Sequence, residues 1–448
     1  MSTLPRIAIV GSGIAGLAAA HALQGQARLT LFESGAYFGG HANTVDVTLP
    51  TASGSATHGV DTGFLVFNSR TYPRLIELFA QLGVETAQSE MSFSVQVPGA
   101  GRAGRTLAWS GSSLNSVFAQ RSNLLNWRFL RMLGEIMRFN RLATALAQSN
   151  ADAALTQPLG DFLDEQAFSP AFRDWYFLPM MGCIWSCPTA QMLRFPVATM
   201  VRFCYNHGLL QVADRPQWRT VVGGSKNYVE KITAGIADKR LRTPVRAIER
   251  DEKRHRGGVL IRLDSGVETF DKVVLATHSD QSLALLVAPS SDERLTLSAI
   301  GYQPNRAVLH TDVSVLPASR RAWAAWNYER AAVSSGAPVP VCLHYLLNLL
   351  QPLPFAQPVV VSLNPVREIA RNTVIGEYDY MHPVFDLAAI RAQSRIAGLQ
   401  GQRHSYFCGA WTGYGFHEDG FSSGFGAARQ LMLDLSGVQA DVQAGVQA

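Results

Sequence analysis

The chain opens with a short apolar run that is followed at once by glycines. Arg6 to Val10 predicts a buried β-strand, Gly11 to Gly16 a tight turn, and Leu17 to Leu23 a helix. A second strand, Leu29 to Phe32, ends at Glu33. This order of strand, glycine-rich turn, helix and strand is typical of a dinucleotide-binding βαβ unit.

The rest of the chain alternates between strand-like and helix-like patterns. Residues 122–150 and 160–206 have helical periodicity, whereas 241–270 is rich in strands. Further strands are predicted at Arg306–Val313, Val339–Tyr345, Pro358–Leu363, Asp271–His278 and Tyr406–Trp411, and a helix from Gly420 to about Leu435. The pattern as a whole predicts an α/β protein.

Each glycine of the turn has a separate predicted task. Gly11 permits the tight turn, Gly13 lets the backbone approach a pyrophosphate, and Gly16 allows close packing of helix on strand. The helix N-terminus offers unpaired N–H groups to that anion. Glu33 can accept a hydrogen bond from a ribose hydroxyl, and its charge disfavours the 2′-phosphate of NADP.

Composition narrows the class of protein. Hydrophobic residues make up 47% of the 448 residues and charged residues 16%, so a large core is available and global disorder is excluded. The net charge of +5 is spread over 39 basic and 34 acidic residues, which does not indicate nucleic acid as a partner. At roughly 150 residues per domain, two or three domains are expected.

Several other site types find no support in the sequence. The five cysteines are too sparse for a disulfide framework, so free thiols and a reducing, cytoplasmic location are expected. No metal-binding, P-loop or nucleophile-elbow motif occurs, and no metal site is predicted. The apolar N-terminal run resembles a signal peptide, but it belongs to the dinucleotide unit. No segment is long and apolar enough for a transmembrane helix.

One predicted helix is strongly basic. From Ser122 to Gln148, Leu125, Phe129, Met132, Leu133, Ile136 and Phe139 share one face of a helical wheel, and Arg128, Arg131, Arg138 and Arg141 occupy the other. Such a helix can lie on an anionic membrane surface with its apolar face down. The alternative is an ordinary domain helix with a solvated arginine face.

Six longer motifs give the chain a family resemblance. They are VDTGFLVFN (60–68), NHGLL (206–210), VVGGSKNYV (221–229), VLATHSDQ (274–281), HPVF (382–385) and GAWTGYGFHEDGFSSG (409–424). With the N-terminal unit, they make the chain resemble the flavoprotein superfamily of amine oxidases and phytoene desaturases. Within it, the chain is similar to bacterial FAD-dependent oxidoreductases often encoded beside cyclopropane-fatty-acid synthases.

The resemblance implies a discontinuous, Rossmann-like FAD-binding domain at 1–90, 215–285 and 395–436. An inserted α+β substrate domain is expected at 91–214 and 286–394, with a tail at 437–448. FAD is expected to bind without a covalent link. The residues expected to contact it are Gly11, Gly13, Ile14, Ala15, Gly16, Glu33, Ser34, Gly39, Gly40, His41, Thr62, Gly63, Val245, Thr277, Gly409, Ala410, Gly420, Phe421 and Ser423. Ala410 departs from the superfamily, which usually has an acidic residue there.

Three functions are compatible with this resemblance. The first is a dehydrogenase or desaturase that oxidises an apolar, lipid-like substrate, such as an acyl chain of a phospholipid. The second is an amine oxidase, which is disfavoured because all five lysines lie between 226 and 272 and none is placed to reach the flavin through a water. The third is a non-catalytic FAD-binding or lipid-carrier protein. The electron acceptor stays open between oxygen, a quinone and a carrier.

The catalytic prediction concerns the segment 411–420. His417 is predicted to accept a proton, Glu418 to orient it, and Tyr414 and Trp411 to form walls of the substrate cavity. The structural alternative is that Asp419 caps the last helix and Glu418 pairs with an arginine.

Overall fold

The computed structural model describes residues 4–149, 157–211, 215–253, 258–331 and 341–437. The predicted tail lies outside these residues from 438 onward. The strands are β1 Arg6–Val10, β2 Arg28–Phe32, β3 Thr44–Thr51, β4 Gly54–Asp61, β5 Phe67–Asn68, β6 Thr86–Ser89, β7 Phe93–Val97, β8 Leu107–Ser110, β9 Trp218–Val221, β10 Asp238–Arg240, β11 Ala247–Arg250, β12 Val259–Leu263, β13 Gly266–Phe270, β14 Lys272–Leu275, β15 Gly301–His310, β16 Trp326–Glu329, β17 Cys342–Leu346, β18 Val360–Leu363, β19 Val374–Val384 and β20 Ser405–Phe407.

Helices connect and cover these strands. The α-helices are α1 Ile14–Leu23, α2 Pro73–Leu82, α3 Leu114–Val117, α4 Trp127–Gln148, α5 Leu159–Glu165, α6 Pro170–Phe172, α7 Leu178–Trp185, α8 Thr189–Met192, α9 Val197–Asn206, α10 Lys226–Ala234, α11 Ser279–Leu285, α12 Ser291–Leu297, α13 Leu347–Leu350, α14 Leu387–Gln393 and α15 His417–Ser436. A π-helical turn, Arg173–Phe177, precedes α7. Short 3₁₀ turns lie at Arg102–Gly104, Arg121–Leu125, Val313–Val315, Arg320–Ala322, Arg371–Thr373, Ile396–Leu399, Gln402–His404 and Ala410–Thr412.

The first sheet is parallel throughout and has the order β10-β2-β1-β14-β20. Its central strand β1 is buried from Ile7 to Val10 because helices and strands cover both faces. Helix α1 is buried almost around its whole circumference, as its run of small and aliphatic residues predicts. The predicted Rossmann-like α/β architecture is therefore confirmed.

Helix α15 packs along α1 because glycines remove the side chains between them. A Cβ added to Gly424 would lie 1.9 Å from the carbonyl oxygen of Ala15, and one added to Gly420 would lie 2.6 Å from the Ile14 side chain. The helix begins at His417, three residues before the predicted start at Gly420. His417 and Glu418 thus lie in its first turn rather than in a loop.

The second large sheet is mixed and has the order β19-β15-β18-β17-β16-β7-β8. The strands predicted at 306–313, 339–345 and 358–363 correspond to β15, β17 and β18, although 339 and 340 lie outside the described residues. Helices α4 to α9 contribute a dense aromatic core beside this sheet, in which Phe139, Phe172 and Phe177 lie in mutual contact. All its strands come from the residues predicted for the substrate domain, while the domain boundaries themselves stay a prediction.

The basic helix corrects part of the membrane prediction. It begins at Trp127, not at Ser122, because residues 121–125 form a 3₁₀ turn and Asn126 caps the helix at the amide of Phe129. Phe129, Met132 and Phe139 are buried in the core, so the apolar stripe does not face a lipid surface. The four arginines of the other face are exposed, as predicted. Across the described ranges, no helix is both long and apolar enough to cross a membrane.

Candidate functional site

The glycine-rich turn and Glu33 form one end of a cavity of about 660 Å³. The Glu33 carboxylate accepts hydrogen bonds from the amide of Ser12 at 3.0 Å and from the amide of Gly35 at 2.7 Å. It is thereby fixed at the end of β2, beside the turn. A Cβ added to Gly13 would meet no atom within 4 Å, so this glycine faces open space in the cavity.

The glycine doublet forms the adjoining wall. The amide of Gly39 donates to the carbonyl oxygen of Ser12, and Gly40 has a left-handed φ of 58° that favours glycine. The next residue, His41, lines the cavity and stacks on Tyr380. Its Nε2 atom is buried without a hydrogen-bond partner among the described residues. Burial keeps the pKa of His41 well below 6.5, so the ring is neutral.

Open space at Gly13, an anchored carboxylate at Glu33 and an unsatisfied nitrogen on His41 are what a bound dinucleotide would use. The residues present therefore fit FAD, which the glycine-rich turn, Glu33 and His41 would hold. Of the predicted cofactor residues, those that line the cavity are Gly11, Gly13, Ile14, Ala15, Glu33, Ser34, Gly40, His41, Gly63, Val245, Thr277, Gly409 and Ala410.

Six predicted contacts do not line the cavity but build its frame. Gly16 closes α1 on the turn, since a Cβ there would lie 2.0 Å from the Gly11 carbonyl oxygen. The hydroxyl of Thr62 lies 2.7 Å from that of Tyr380. The hydroxyl of Ser423 accepts from the amide of Gly409 at 2.9 Å. The others are Gly39, Gly420 and Phe421, which pack between backbone segments. These six residues pack behind the wall, and their contacts with FAD stay a prediction.

The chain turns sharply after β20. Gly409 has a φ of 159°, and residues 410–412 form a 3₁₀ turn instead of the predicted strand. Trp411 is buried and donates its indole N–H to the carbonyl oxygen of Thr277 at 3.1 Å, which ties the turn to the end of β14. The turn brings Ala410, Trp411 and Tyr414 to the cavity wall.

His417 lies where the cavity passes from the glycine end to the aromatic end. Its ring stacks on Phe64 at a centroid distance of 3.7 Å, and its Nε2 atom lies 2.9 Å from the hydroxyl of Tyr228. Desolvation lowers the pKa of His417 to about 3. The imidazole is therefore neutral at physiological pH.

The structure corrects the predicted role of Glu418. Its carboxylate accepts from the amides of Arg74 and Leu75, each at 3.0 Å, and so caps the N-terminus of α2. Tyr228 occupies the position beside His417 that was predicted for Glu418. Asp419 accepts from the amide of Phe416 at 2.9 Å, as its capping alternative predicted. Burial raises the pKa of Asp419 to about 7.

The far end of the cavity is apolar and aromatic. Its lining residues are Leu65, Val66, Met91, Cys183, Ile184, Trp185, Ser186, Phe203, His207, Leu209, Trp218, Trp326, Tyr345, Tyr414 and Phe416. Among the described residues that line the whole cavity, Glu33 is the single acidic one, and no lysine or arginine lines it. Phe203 joins Trp185, His207 and Phe416 into one aromatic cluster.

Sequence reasoning missed several lining residues. Phe64, His207, His278 and His382 line the cavity and occur in motifs that carried the family resemblance, yet none was nominated. Those motifs could have identified them. Trp185 had no such signal, because it belongs to an apolar helical stretch that reads as core.

A possible set of metal ligands lies away from the cavity lining. Glu329, Cys342 and His344 are buried close together. The Glu329 carboxylate already accepts from Arg367 at 3.0 Å and lies 3.1 Å from His344 Nε2. Since the arginine supplies the opposing positive charge, these contacts describe a satisfied hydrogen-bond network.

Comparison with protein families gives one assignment. The family model described as flavin containing amine oxidoreductase matches residues 14–315. The matched stretch runs from the first residue of α1 through β15. It includes Glu33, Gly40 and most of the aromatic wall, whereas Gly11 and Gly13 precede it.

Solved structures with the same fold cover nearly the whole chain. Cyclohexylamine oxidase from Brevibacterium oxydans IH-35A is 16% identical, with a TM-score of 0.64 over 96% of this chain and 99% of that one. A CLA-producing fatty acid isomerase from P. acnes is 16% identical, with a TM-score of 0.63 over 96% and 99%. Putrescine oxidase, in a structure with putrescine bound, is 15% identical, with a TM-score of 0.63 over 96% and 100%. These identities establish a common fold.

Proposed function

Because the chain belongs to the family of flavin-containing amine oxidoreductases and is an FAD-dependent oxidoreductase, we propose that it dehydrogenates an apolar, lipid-like substrate at the aromatic end of its cavity. The observation that carries this proposal is the lining of that end, which holds aromatic and aliphatic side chains and no carboxylate, lysine or arginine among the described residues. An acyl chain is buried favourably in such surroundings, whereas an isolated charge is not.

FAD, when bound, accepts the hydride that such a substrate loses. The protein contributes orientation and exclusion of water. Trp185, Phe203 and Tyr414 are proposed to hold the substrate chain, and Trp411 supports the wall through its bond to Thr277. The aromatic surfaces keep the reacting carbon in a dry compartment.

His417 remains the proposed proton acceptor. With the Tyr228 hydroxyl at Nε2, the Nδ1 atom is the position left for a proton from the substrate. Since burial lowers the pKa of His417 to about 3, the imidazolium would not persist at neutral pH and would release its proton to water. Glu418 has no part in this step, because it caps α2.

The test is anaerobic bleaching of the flavin absorbance by candidate substrates. Phosphatidylglycerol vesicles with monounsaturated or cyclopropane-containing acyl chains should bleach the wild-type flavin, and cyclohexylamine should not. His417→Ala should retain FAD and bleach about 100-fold more slowly. Val267→Ala, at an exposed position of β13, serves as the control.

Bleaching by the amine and not by the lipid would overturn the lipid proposal in favour of amine oxidation. That second candidate is kept because an aromatic cluster such as Trp185, Phe203 and Phe416 can also bind a cationic amine over its ring faces. Unchanged bleaching in His417→Ala would make the histidine a structural partner of Phe64 and Tyr228.

A further inference from the structure

Large apolar side chains are exposed together on one side of the protein, around the entry to α4. Leu114 on α3 and Leu125 in the 3₁₀ turn are each 80% exposed, and Trp127 at the start of α4 is 65% exposed. Leu124 and Leu130 are exposed beside them. Soluble surfaces rarely gather so many large apolar groups unless they bind something.

These residues belong to one contiguous surface. Arg121 donates to the side-chain oxygen of Asn115 at 2.9 Å, which ties the 3₁₀ turn to α3. Gln120 donates to the carbonyl oxygen of Thr106 and accepts from the amide of Ala108, which anchors the same segment to the start of β8. Phe118 packs edge-on against Phe129, so the turn is held on α4.

The charges around this surface have one sign. Arg105, Arg121 and Arg128 are exposed within it, and Arg320 and Arg321 are exposed on a turn that contacts α3. No aspartate or glutamate occurs between Glu90 and Glu135 or between Asp312 and Glu329. The two segments that build the surface therefore lack any negative charge of their own.

We propose that Leu114, Leu124, Leu125, Trp127 and Leu130, with these five arginines, form a docking face for an anionic phospholipid membrane. The leucines and the tryptophan would enter the interface between head groups and acyl chains, where tryptophan is favoured. The arginines would bind lipid phosphates. The face shares Leu125 with the predicted apolar stripe, whose members Phe129, Met132 and Phe139 are buried in the core. It goes beyond the proposed function because docking needs no catalysis.

The surface fits lipid better than a second copy of the chain. A two-fold contact would bring its five arginines opposite the same five arginines without carboxylates between them. A membrane rich in phosphatidylglycerol supplies the opposite charge. Because the face is positively charged, we infer that it binds an anionic membrane rather than a second copy of the chain.

The test is sedimentation of the FAD-loaded protein with vesicles at low salt. The wild type should sediment with vesicles of phosphatidylglycerol and phosphatidylcholine and remain in solution with phosphatidylcholine alone. The double variant Leu125→Glu/Trp127→Glu should lower the bound fraction at least tenfold. Arg121→Gln/Arg128→Gln, which leaves three of the five arginines, should lower the fraction bound to the phosphatidylglycerol vesicles.

The matched control is Val267→Glu/Leu295→Glu, which changes two apolar residues that are 58% and 55% exposed outside the docking face. It should bind like the wild type, and FAD content and thermal unfolding should be the same in all variants. A wild type that never sediments, or equal loss in the control, would overturn the proposal. So would a dimer in sedimentation velocity that Leu125→Glu/Trp127→Glu converts to a monomer, since the occupant would then be a second copy.

Discussion

At the cofactor end of the cavity the wall is mostly backbone, whereas at the substrate end it is mostly side chains. Gly11, Gly13 and Gly40 bring the chain itself to the cavity, and a single carboxylate, Glu33, adds the specific contact. At the other end, rings such as those of Trp185 and Phe203 fill the wall and touch one another. The two ends of one cavity therefore have different walls, formed by backbone at one end and by side chains at the other.

The difference has consequences for tolerance to mutation. At Gly11 and Gly16 the backbone leaves no room for a side chain, because an added Cβ would lie 2.8 Å from the carbonyl oxygen of Ala276 and 2.0 Å from that of Gly11. A wall of side chains can repack when volume is conserved. His417 lines the cavity, Tyr228 lies beside it, and Asp419 caps the helix that begins at His417.

The largest effect is expected from Gly16→Val, which would break the cofactor end. A Cβ at this position would lie 2.0 Å from the carbonyl oxygen of Gly11. We expect the free energy of unfolding to fall by about 4 kcal/mol or more, with loss of FAD. Denaturant unfolding and flavin absorbance measure the two effects.

Two glycine variants act as controls for that experiment. Gly426→Ala, where an added Cβ meets no atom within 4 Å, should keep both stability and FAD. Gly13→Ala should keep stability but bind FAD at least about tenfold more weakly, a difference of 1.4 kcal/mol. If Gly16→Val were as stable as the wild type, the close contact between residue 16 and the Gly11 carbonyl would not limit the side chain there.

The next-largest effect concerns Asp419, which caps helix α15 and should make the stability of the protein depend on pH. Burial raises the pKa of this carboxyl to about 7 from 3.8. Its contribution to stability is fully present below pH 3.8 and is lost as the pH rises through about 7, because the folded protein then holds a buried charge. This loss amounts to at most about 4 kcal/mol.

The measurement for Asp419 is urea unfolding at several pH values. Asp419→Asn cannot ionise, so its stability should fall less than that of the wild type between about pH 4 and pH 8. The exposed Asp161→Asn is the control. Parallel pH profiles for wild type and Asp419→Asn would show that the carboxyl is not held neutral.

A smaller effect is expected from Tyr228→Phe, which removes the hydrogen bond between helix α10 and His417. The Nε2 atom of His417 would lose its partner in a buried position, at a cost of about 2 kcal/mol in the free energy of unfolding. Urea unfolding measures it. Tyr205→Phe, at a half-buried ring that faces Arg70, should change stability much less. If both variants lost the same free energy of unfolding, the hydrogen bond between Tyr228 and His417 would not be the cause.

The smallest effect should come from Phe203→Leu, which tests tolerance at the substrate end. The ring packs on His207 and Phe416, and leucine conserves enough of its volume for the cluster to repack. We expect a loss of about 1 kcal/mol and full FAD content, with a changed preference among acyl chains. If Phe203→Leu lost as much free energy of unfolding as Gly16→Val, the two ends of the cavity would not differ in their tolerance to mutation.

Much of the cofactor end could be predicted from the sequence because its function is local. The turn Gly11 to Gly16, Glu33 and the doublet Gly39-Gly40 lie within thirty residues of one another, and their spacing follows from the geometry of a strand, a turn and a helix. Spacing alone does not distinguish a glycine that lines the cavity, such as Gly13, from one that packs behind its wall, such as Gly420.

The substrate end could not be predicted in the same way. Trp185, Trp326 and Tyr345 come from different helices and strands and look like ordinary core residues in the sequence. Likewise, the apolar stripe of α4 has the pattern of a membrane-facing helix, but the neighbouring helices bury it.

The FAD cofactor was predicted from the family resemblance of motifs spread along the chain. The α/β architecture and most of the glycine end of the cavity were predicted from the sequence pattern itself. These depend on contacts between residues close in the chain, and local spacing specifies such contacts. Two further features are visible only in the folded protein. Tyr228 rather than Glu418 lies beside His417, and Leu114 and Trp127 are exposed while Phe129 is buried. These outcomes depend on which distant elements pack together, and the amphipathic pattern of a single helix does not identify the neighbour that covers it.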